Sequence, residues 1–323
     1  MRAAVCPTYG PPEVVEIQDI PSPPVEPGQV RVRVEAAAVN FPDVLVIANQ
    51  YQLSVPVPFI PGSEFAGEVV EVAAEIADIA VGERVFGSTM VGAFAEEVSV
   101  PATSLTPIPD GVQAVHAAAF GVAHRTAYHV LRSVGSLQPG EELVVLGAGG
   151  GVGLAAVQLG VALEARVTAV ASSAEKLAVA KANGAHRLID HKAGDLRQAL
   201  KDALPEGADV VIDPVGGGLS EPALRSLHWG GRFVTVGYAA GIPRIPLNLV
   251  LLKGIHILGF QFRDFAAHEA DEMRRNEREL LALLASKRVV PHVGASFSLD
   301  EAVAALRYVG DGHAIGKVVL NII

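Results

Sequence analysis

From about residue 114 onward, short apolar runs alternate with stretches that suit helices. The runs at 143–146, 167–171, 210–212, 233–236 and 256–260 are dominated by apolar residues, as expected of strands buried on both faces. Between them, 174–182 and 196–204 read as helices, and strand–helix–strand at this spacing predicts parallel βαβ units. Before residue 114 the pattern differs. Val30-Arg31-Val32-Arg33-Val34 alternates as a half-buried strand, and 65–72, 81–87 and 94–100 follow as short strands punctuated by Gly and Pro. This part predicts a β-rich domain, barrel-like or partly open. Residues 117–131 read as one helix, 269–284 as a charged amphipathic helix, and 289–293 as a return to β texture.

One stretch organises the second part. Leu143-Val144-Val145-Leu146 runs into Gly147-Ala148-Gly149-Gly150-Gly151-Val152-Gly153 and then into an Ala-rich segment without Pro. A strand, a glycine turn and a helix in that order predict the opening βα unit of a dinucleotide-binding fold. Glycines there permit a tight turn and close approach of phosphates, and the helix start offers unpaired N–H groups and a positive dipole end. The wording departs from G-x-G-x-x-G: Ala148 holds the first position, with Gly150 and Gly153 at the second and third. Residues 143–163 carry no charge and are long enough to cross a bilayer, but their glycines would break such a helix.

Composition narrows the class. The 323 residues are 50% hydrophobic and 19% charged, which suits sizeable cores and excludes disorder. A formal net charge of −10 argues against nucleic acid as a partner. The single cysteine, Cys6, allows no internal disulfide and no Cys-rich metal site, and with a strand-like start at Met1 it suggests a cytoplasmic enzyme. None of the ten histidines falls in a His-Glu-x-x-His pattern, and His124 and His129 do not share a helix face.

Cofactor choice is read after the second strand of the unit, where Ala171-Ser172-Ser173-Ala174-Glu175-Lys176 carries no carboxylate at Ala171. Two hydroxyls and a lysine there suit a 2′-phosphate, hence NADPH, while helix capping is the plain alternative for the serines.

Separated motifs then carry a resemblance. Gly10-Pro11-Pro12-Glu13-Val14, Asn40-Phe41-Pro42-Asp43, Pro61-Gly62-Ser63-Glu64-Phe65-Ala66-Gly67, the glycine stretch, Asp213-Pro214-Val215-Gly216-Gly217 and Gly316-Lys317-Val318-Val319-Leu320 stand in order along the chain. In these it resembles the zinc-independent quinone oxidoreductases, the zeta-crystallin-like group of the medium-chain dehydrogenase/reductase superfamily. The resemblance implies an α/β protein of two domains: a GroES-like β-rich catalytic domain from 1–122 with 263–323, and an inserted Rossmann doubly wound parallel sheet at 123–262. It implies a homodimer formed through the strand near 256–260. Zinc-using relatives place a cysteine at Asn40 and a histidine at Ser63, so no metal site is expected.

By the same resemblance, Asn40, Asp43, Tyr51 and Thr126 line the nicotinamide and substrate space. Asn40 would orient the ring or donate to a developing oxyanion, Tyr51 would donate a hydrogen bond or proton, and Asp43 would fix local backbone. Cofactor contacts are expected from Ala148, Gly149, Gly150, Gly151, Val152, Gly153, Ser172, Ser173, Lys176, His191, Val215, Gly237, Tyr238, Phe260 and Lys317.

The implied activity is NADPH-dependent reduction of a quinone or an α,β-unsaturated carbonyl, a small-molecule substrate, by hydride transfer. Arg125 and Arg263, where the family has small residues, raise an enoyl-CoA-type reductase as an alternative, and a non-catalytic NADPH-binding protein is the other. Asn49 replaces a glycine two residues before Tyr51, which leaves the placement of that loop open.

Overall fold

The strand Gln29–Val39 holds the first unit together, because it pairs along its length with three antiparallel neighbours: Lys317–Asn321, Glu64–Val72 and Glu97–Pro101. In this computed structural model, which describes residues 1–323, the seven-stranded sheet runs Val293–Ser298, Lys317–Asn321, Gln29–Val39, Glu64–Val72, Arg84–Ser88, Leu105–Pro107, with Glu97–Pro101 off that path. Alternation does what the sequence pattern predicts. Val30, Val32 and Val34 face a core shared with Phe65, Phe94 and Leu320, while Arg31 and Arg33 point outward to Glu71 and Glu68. Helix Ala302–Gly310 packs on this sheet through Leu306. A separate ribbon joins Arg2–Val5 to Glu16–Asp19.

The second unit is a parallel six-stranded sheet in the order Arg187–Asp190, Arg166–Ala171, Glu142–Leu146, Ala208–Asp213, Leu227–Thr235, His256–Gly259. Numbered along the chain this is 3-2-1-4-5-6, the doubly wound order whose switch point lies between the first and fourth strands. Helix Gly151–Ala162 buries Leu154, Ala155, Ala156, Val157 and Leu159, which explains a run without charge that does not cross a membrane. No helix is long and apolar enough to do so.

Two expectations change, and one strand is added. The chain divides into Met1–Val122 with Val290–Ile323, and Ala123–Val289, so the second boundary moves from 263 to 290. Helix Ala270–Ala285 stays with the inserted unit because Asn276, Glu277 and Glu279 bond back to His129, Arg125 and Tyr128. The helical run 117–131 is interrupted: it forms Ala114–Ala118 and Gly121–His129, then widens into a π turn, Val130–Val134, closed by Gly135 N–H to the Val130 carbonyl at 2.7 Å. The strand Arg187–Asp190, absent from the sequence reading, lies at the sheet edge.

Candidate functional site

The glycine turn assigns separate tasks to its residues. Gly147, not Ala148, takes the left-handed conformation at φ +62, so an alanine fits at the first motif position. A β-carbon on Gly153 would stand 2.1 Å from the Gly147 carbonyl oxygen. On Gly150 it would meet nothing nearer than 3.5 Å, so the bare backbone there leaves room that the protein itself does not fill. Gly150 is also the N-cap of helix Gly151–Ala162 and supplies no side-chain cap. The first-turn N–H groups of Gly151, Val152 and Gly153 therefore face outward with the positive end of the helix dipole, as an anion site requires.

Parallel pairing brings the residues after the next two strands together. Asp190 stands opposite Ala171, and His191 N–H donates to the Ala171 carbonyl at 3.1 Å. His191 thus neighbours Ser172 and Ser173. Ser173 caps helix Ala174–Ala182, accepting Lys176 N–H at 3.3 Å, so the plain capping role applies to it. Ser172 is half-buried. The Lys176 stem lies over the turn: a β-carbon on Gly149 would meet its Cβ at 2.5 Å.

Lys192 adds a second ammonium group near Lys176 that the sequence reading missed. Burial first, then repulsion from Lys192, lowers the Lys176 ammonium. Burial also lowers the His191 imidazole, with Lys192 and Lys176 adding to it against the opposing charge of Asp190.

At the fourth strand, the fully buried Asp213 accepts N–H from Val215 at 2.9 Å and Gly216 at 2.8 Å, and Ser220 Oγ donates to it at 2.5 Å. That turn carries Val215 against Gly147. Ala240 N–H donates to the Val215 carbonyl at 2.8 Å, which ties in the loop holding Gly237 and the exposed Tyr238. Phe260 belongs to an aromatic cluster, stacked on His129 with ring centroids 6.2 Å apart and tilted against Phe265.

In the first unit, Asn40 and Asp43 close the start of helix Phe41–Ile47: Asn40 N–H donates to Asp43 Oδ2 at 2.7 Å. Asn40 Nδ2 donates to Glu64 Oε1 at 2.9 Å and Ser63 Oγ at 3.4 Å, and Asn40 Oδ1 accepts from Lys317 Nζ at 2.5 Å. Lys317 is 3% exposed and also pairs with Glu64. Both ends of the Asn40 amide are thus engaged, and Lys317 faces Asn40 and Glu64 rather than an open surface, unlike the expectation for either residue.

Burial pushes the Asp43 carboxyl up to about 7, against the lowering hydrogen bonds from Asn40 and Ser63. Tyr51 is half-buried; burial and then the charge of Asp43 raise its hydroxyl. Asn49 takes φ +53, the conformation a glycine would favour, and Ser54 Oγ bonds its side chain, so the loop keeps a glycine-like turn.

Thr126 lies half-buried in helix Gly121–His129, in the other unit. The adjoining Arg125 donates to Glu277 Oε1 at 2.7 Å and sits 4.8 Å over the Phe262 ring, which anchors it within its own unit instead of freeing it as an anion clamp. Arg263 is exposed.

The family models agree with this architecture. Residues 26–110 match the alcohol dehydrogenase GroES-like domain, and 151–286 match the model described as zinc-binding dehydrogenase. Zinc does not fit the residues present: no three His, Cys, Asp or Glu side chains group to hold a metal, and the Asn40 cluster contains an ammonium. The chain is 36% identical to quinone oxidoreductase-like protein 2 of Bos taurus, over 99% of this chain and 92% of that one.

Among solved structures, the quinone oxidoreductase of Thermus thermophilus, also determined with NADPH, superposes with a TM-score of 0.87 at 34% identity, covering 100% of both chains. The Escherichia coli quinone oxidoreductase complexed with NADPH gives 0.91 at 25%, again over 100% of both. Alternating β texture, the 3-2-1-4-5-6 sheet and these full-length matches lead to one conclusion: the chain belongs to the zinc-independent quinone oxidoreductase group of the medium-chain dehydrogenase/reductase superfamily.

Proposed function

We propose that this protein is an NADPH-dependent reductase of quinones or α,β-unsaturated carbonyls. The observation that carries the reading is the pair of ammonium groups Lys176 and Lys192, with the uncharged imidazole of His191 near them, set after the second and third strands beside an uncapped glycine turn. The turn and the helix start at Gly151 would hold the pyrophosphate, and Lys176 with Ser172 and His191 the 2′-phosphate. Bound NADPH supplies the hydride. Val215, Gly237 and Tyr238 stand at the same edge of the sheet, where a doubly wound fold receives its nucleotide.

Tyr51 is the proposed donor of a hydrogen bond or proton to the acceptor oxygen, its raised hydroxyl favouring the hydrogen bond, and Thr126 a proposed lining residue. Asn40 and Asp43 contribute by shape and position, since their polar atoms bond within the protein. With Arg125 held by Glu277, an anionic acyl thioester loses the support that residue offered.

A homodimer is proposed through the edge strand His256–Gly259, which pairs only with Leu227–Thr235 and lies with exposed Trp229, Ile242, Leu247, Leu251 and Leu252 in the same unit. The single free cysteine, Cys6, fits a reducing cytoplasm.

Acceptor-dependent NADPH oxidation, measured with a panel of neutral quinones, enones and acyl-CoA thioesters, tests the reading. Turnover of quinones or enones is expected. Tight NADPH binding with no turnover of any acceptor would favour a non-catalytic nucleotide-binding role instead.

A further inference from the structure

A lysine that is 3% exposed beside a fully buried glutamate calls for a reason. The Lys317 ammonium bonds Glu64 Oε1 and, at 2.5 Å, Asn40 Oδ1. The second Glu64 oxygen accepts the Val122 N–H at 2.6 Å. The Ser63 hydroxyl and the buried Asp43 carboxyl stand alongside, each joined to this cluster by charge or hydrogen bonding. Carboxylates, an amide carbonyl and a hydroxyl are hard oxygen donors, the kind of shell that surrounds a cation. Here the cation is part of the chain.

We propose that Lys317 is the fixed cation of this cluster, a positioning residue whose charge balances Glu64 and sets the direction of the Asn40 amide. Turning that amide over would set its NH2 against the ammonium and its oxygen against the Glu64 carboxylate, so the orientation has one favourable sense. The same ammonium accounts for the misfit with the zinc-binding description of the family model: the oxygen-lined position that would attract a metal already holds a positive charge. The charge of Lys317, apart from its bulk, is what acts here, whichever acceptor the protein reduces.

Thermal unfolding of the Lys317→Ala protein, with added ethylammonium chloride or with ethanol at the same concentration, separates charge from bulk. Lys317→Ala should unfold at a lower temperature than the parent. Ethylammonium should restore at least half of the loss, and ethanol, of similar shape but neutral, should restore none. Equal rescue by both, no rescue by ethylammonium, or no loss at all would overturn the proposal.

If Lys317→Ala does not fold, Asn40→Cys decides in a chain that keeps Lys317. Its introduced thiol, followed by alkylation rate against pH with the parent's buried Cys6 as background, should hold at least tenfold more thiolate at neutral pH than a free cysteine, whose pKa is about 8.5. A thiol that titrates like a free cysteine, or at higher pH, would overturn the proposal.

Discussion

Gly153 faces the carbonyl of Gly147 so closely that a β-carbon would come within 2.1 Å of its oxygen, whereas the same addition at Gly150 meets ordinary van der Waals contact at 3.5 Å. The two glycines thus answer to different demands, helix packing and ligand approach. Gly153→Ala should lower the melting temperature by several degrees, a cost on the order of 1–3 kcal/mol. Gly150→Ala, at φ −89, should melt like the parent and lose NADPH affinity by at least tenfold. Calorimetry and fluorescence titration of the two variants give the comparison, and equal melting losses would refute it.

Lys176 sits on the glycine turn with His191 and Lys192 near it. Removing a charged contact to a phosphate costs about 1.5–3 kcal/mol, or roughly ten- to a hundredfold in affinity. Lys176→Ala should weaken NADPH by that factor and leave NADH nearly unchanged. Lys192→Ala should weaken NADPH by less, since its side chain is exposed.

Much of this region is readable in the chain because buried parallel strands show as apolar runs, and the glycine cluster lies within seven consecutive positions. Contacts between distant positions are not. Glu64 looks like any strand glutamate until Lys317, 253 residues on, is placed beside it. Arg125 looks like a free cation until helix Ala270–Ala285 brings Glu277 to it. The edge strand Arg187–Asp190 has only four residues and two charged ends, too short a run to show a period. The break between Ala118 and Gly121 is hidden for the opposite reason, since Ala119 and Phe120 suit a continuous helix and tertiary packing decides otherwise.

Glu277 joins His129 and Arg125 within the inserted unit. Burial alone would raise its carboxyl, but hydrogen bonding from His129 and the charge and hydrogen bond of Arg125 outweigh it and hold it below its ordinary value of 4.5. A lowered folded pKa adds stability that is complete above the unfolded value and is lost as pH falls through the folded one. Glu277→Gln should therefore cost on the order of 1–2 kcal/mol at neutral pH and progressively less below about pH 4, as read by urea unfolding.

Asp43 has the opposite sign. Its folded pKa of about 7 lies above its ordinary value of 3.8, so between those values the folded state binds the extra proton. Stability from this group is present in acid and declines as pH rises through that window. Asp43→Asn, which can still accept the Asn40 N–H, should flatten the decline. An unchanged slope between about pH 4 and 7 would show that other groups set it.

The exposed residues Trp229 and Leu251 lie in the same unit as the edge strand, at 73% and 80% exposure. Trp229→Asp/Leu251→Asp should leave the melting temperature of dilute protein nearly unchanged and shift sedimentation from dimer to monomer. Dimers that persist in this variant would place the interface elsewhere.

The pairing of Glu64 with Lys317 also sets an order of assembly. During synthesis at about 5–20 residues per second, the 253 residues between them take roughly 13–50 s to emerge. The inserted unit, Ala123–Val289, is one continuous segment and can close within that interval. Throughout it, Gln29–Val39 lacks its neighbour Lys317–Asn321, and Glu64 lacks the counter-charge that makes its burial tolerable. The unit whose strands begin to leave the ribosome first is the one completed last, and until then the 36–39 end of Gln29–Val39 keeps an open edge.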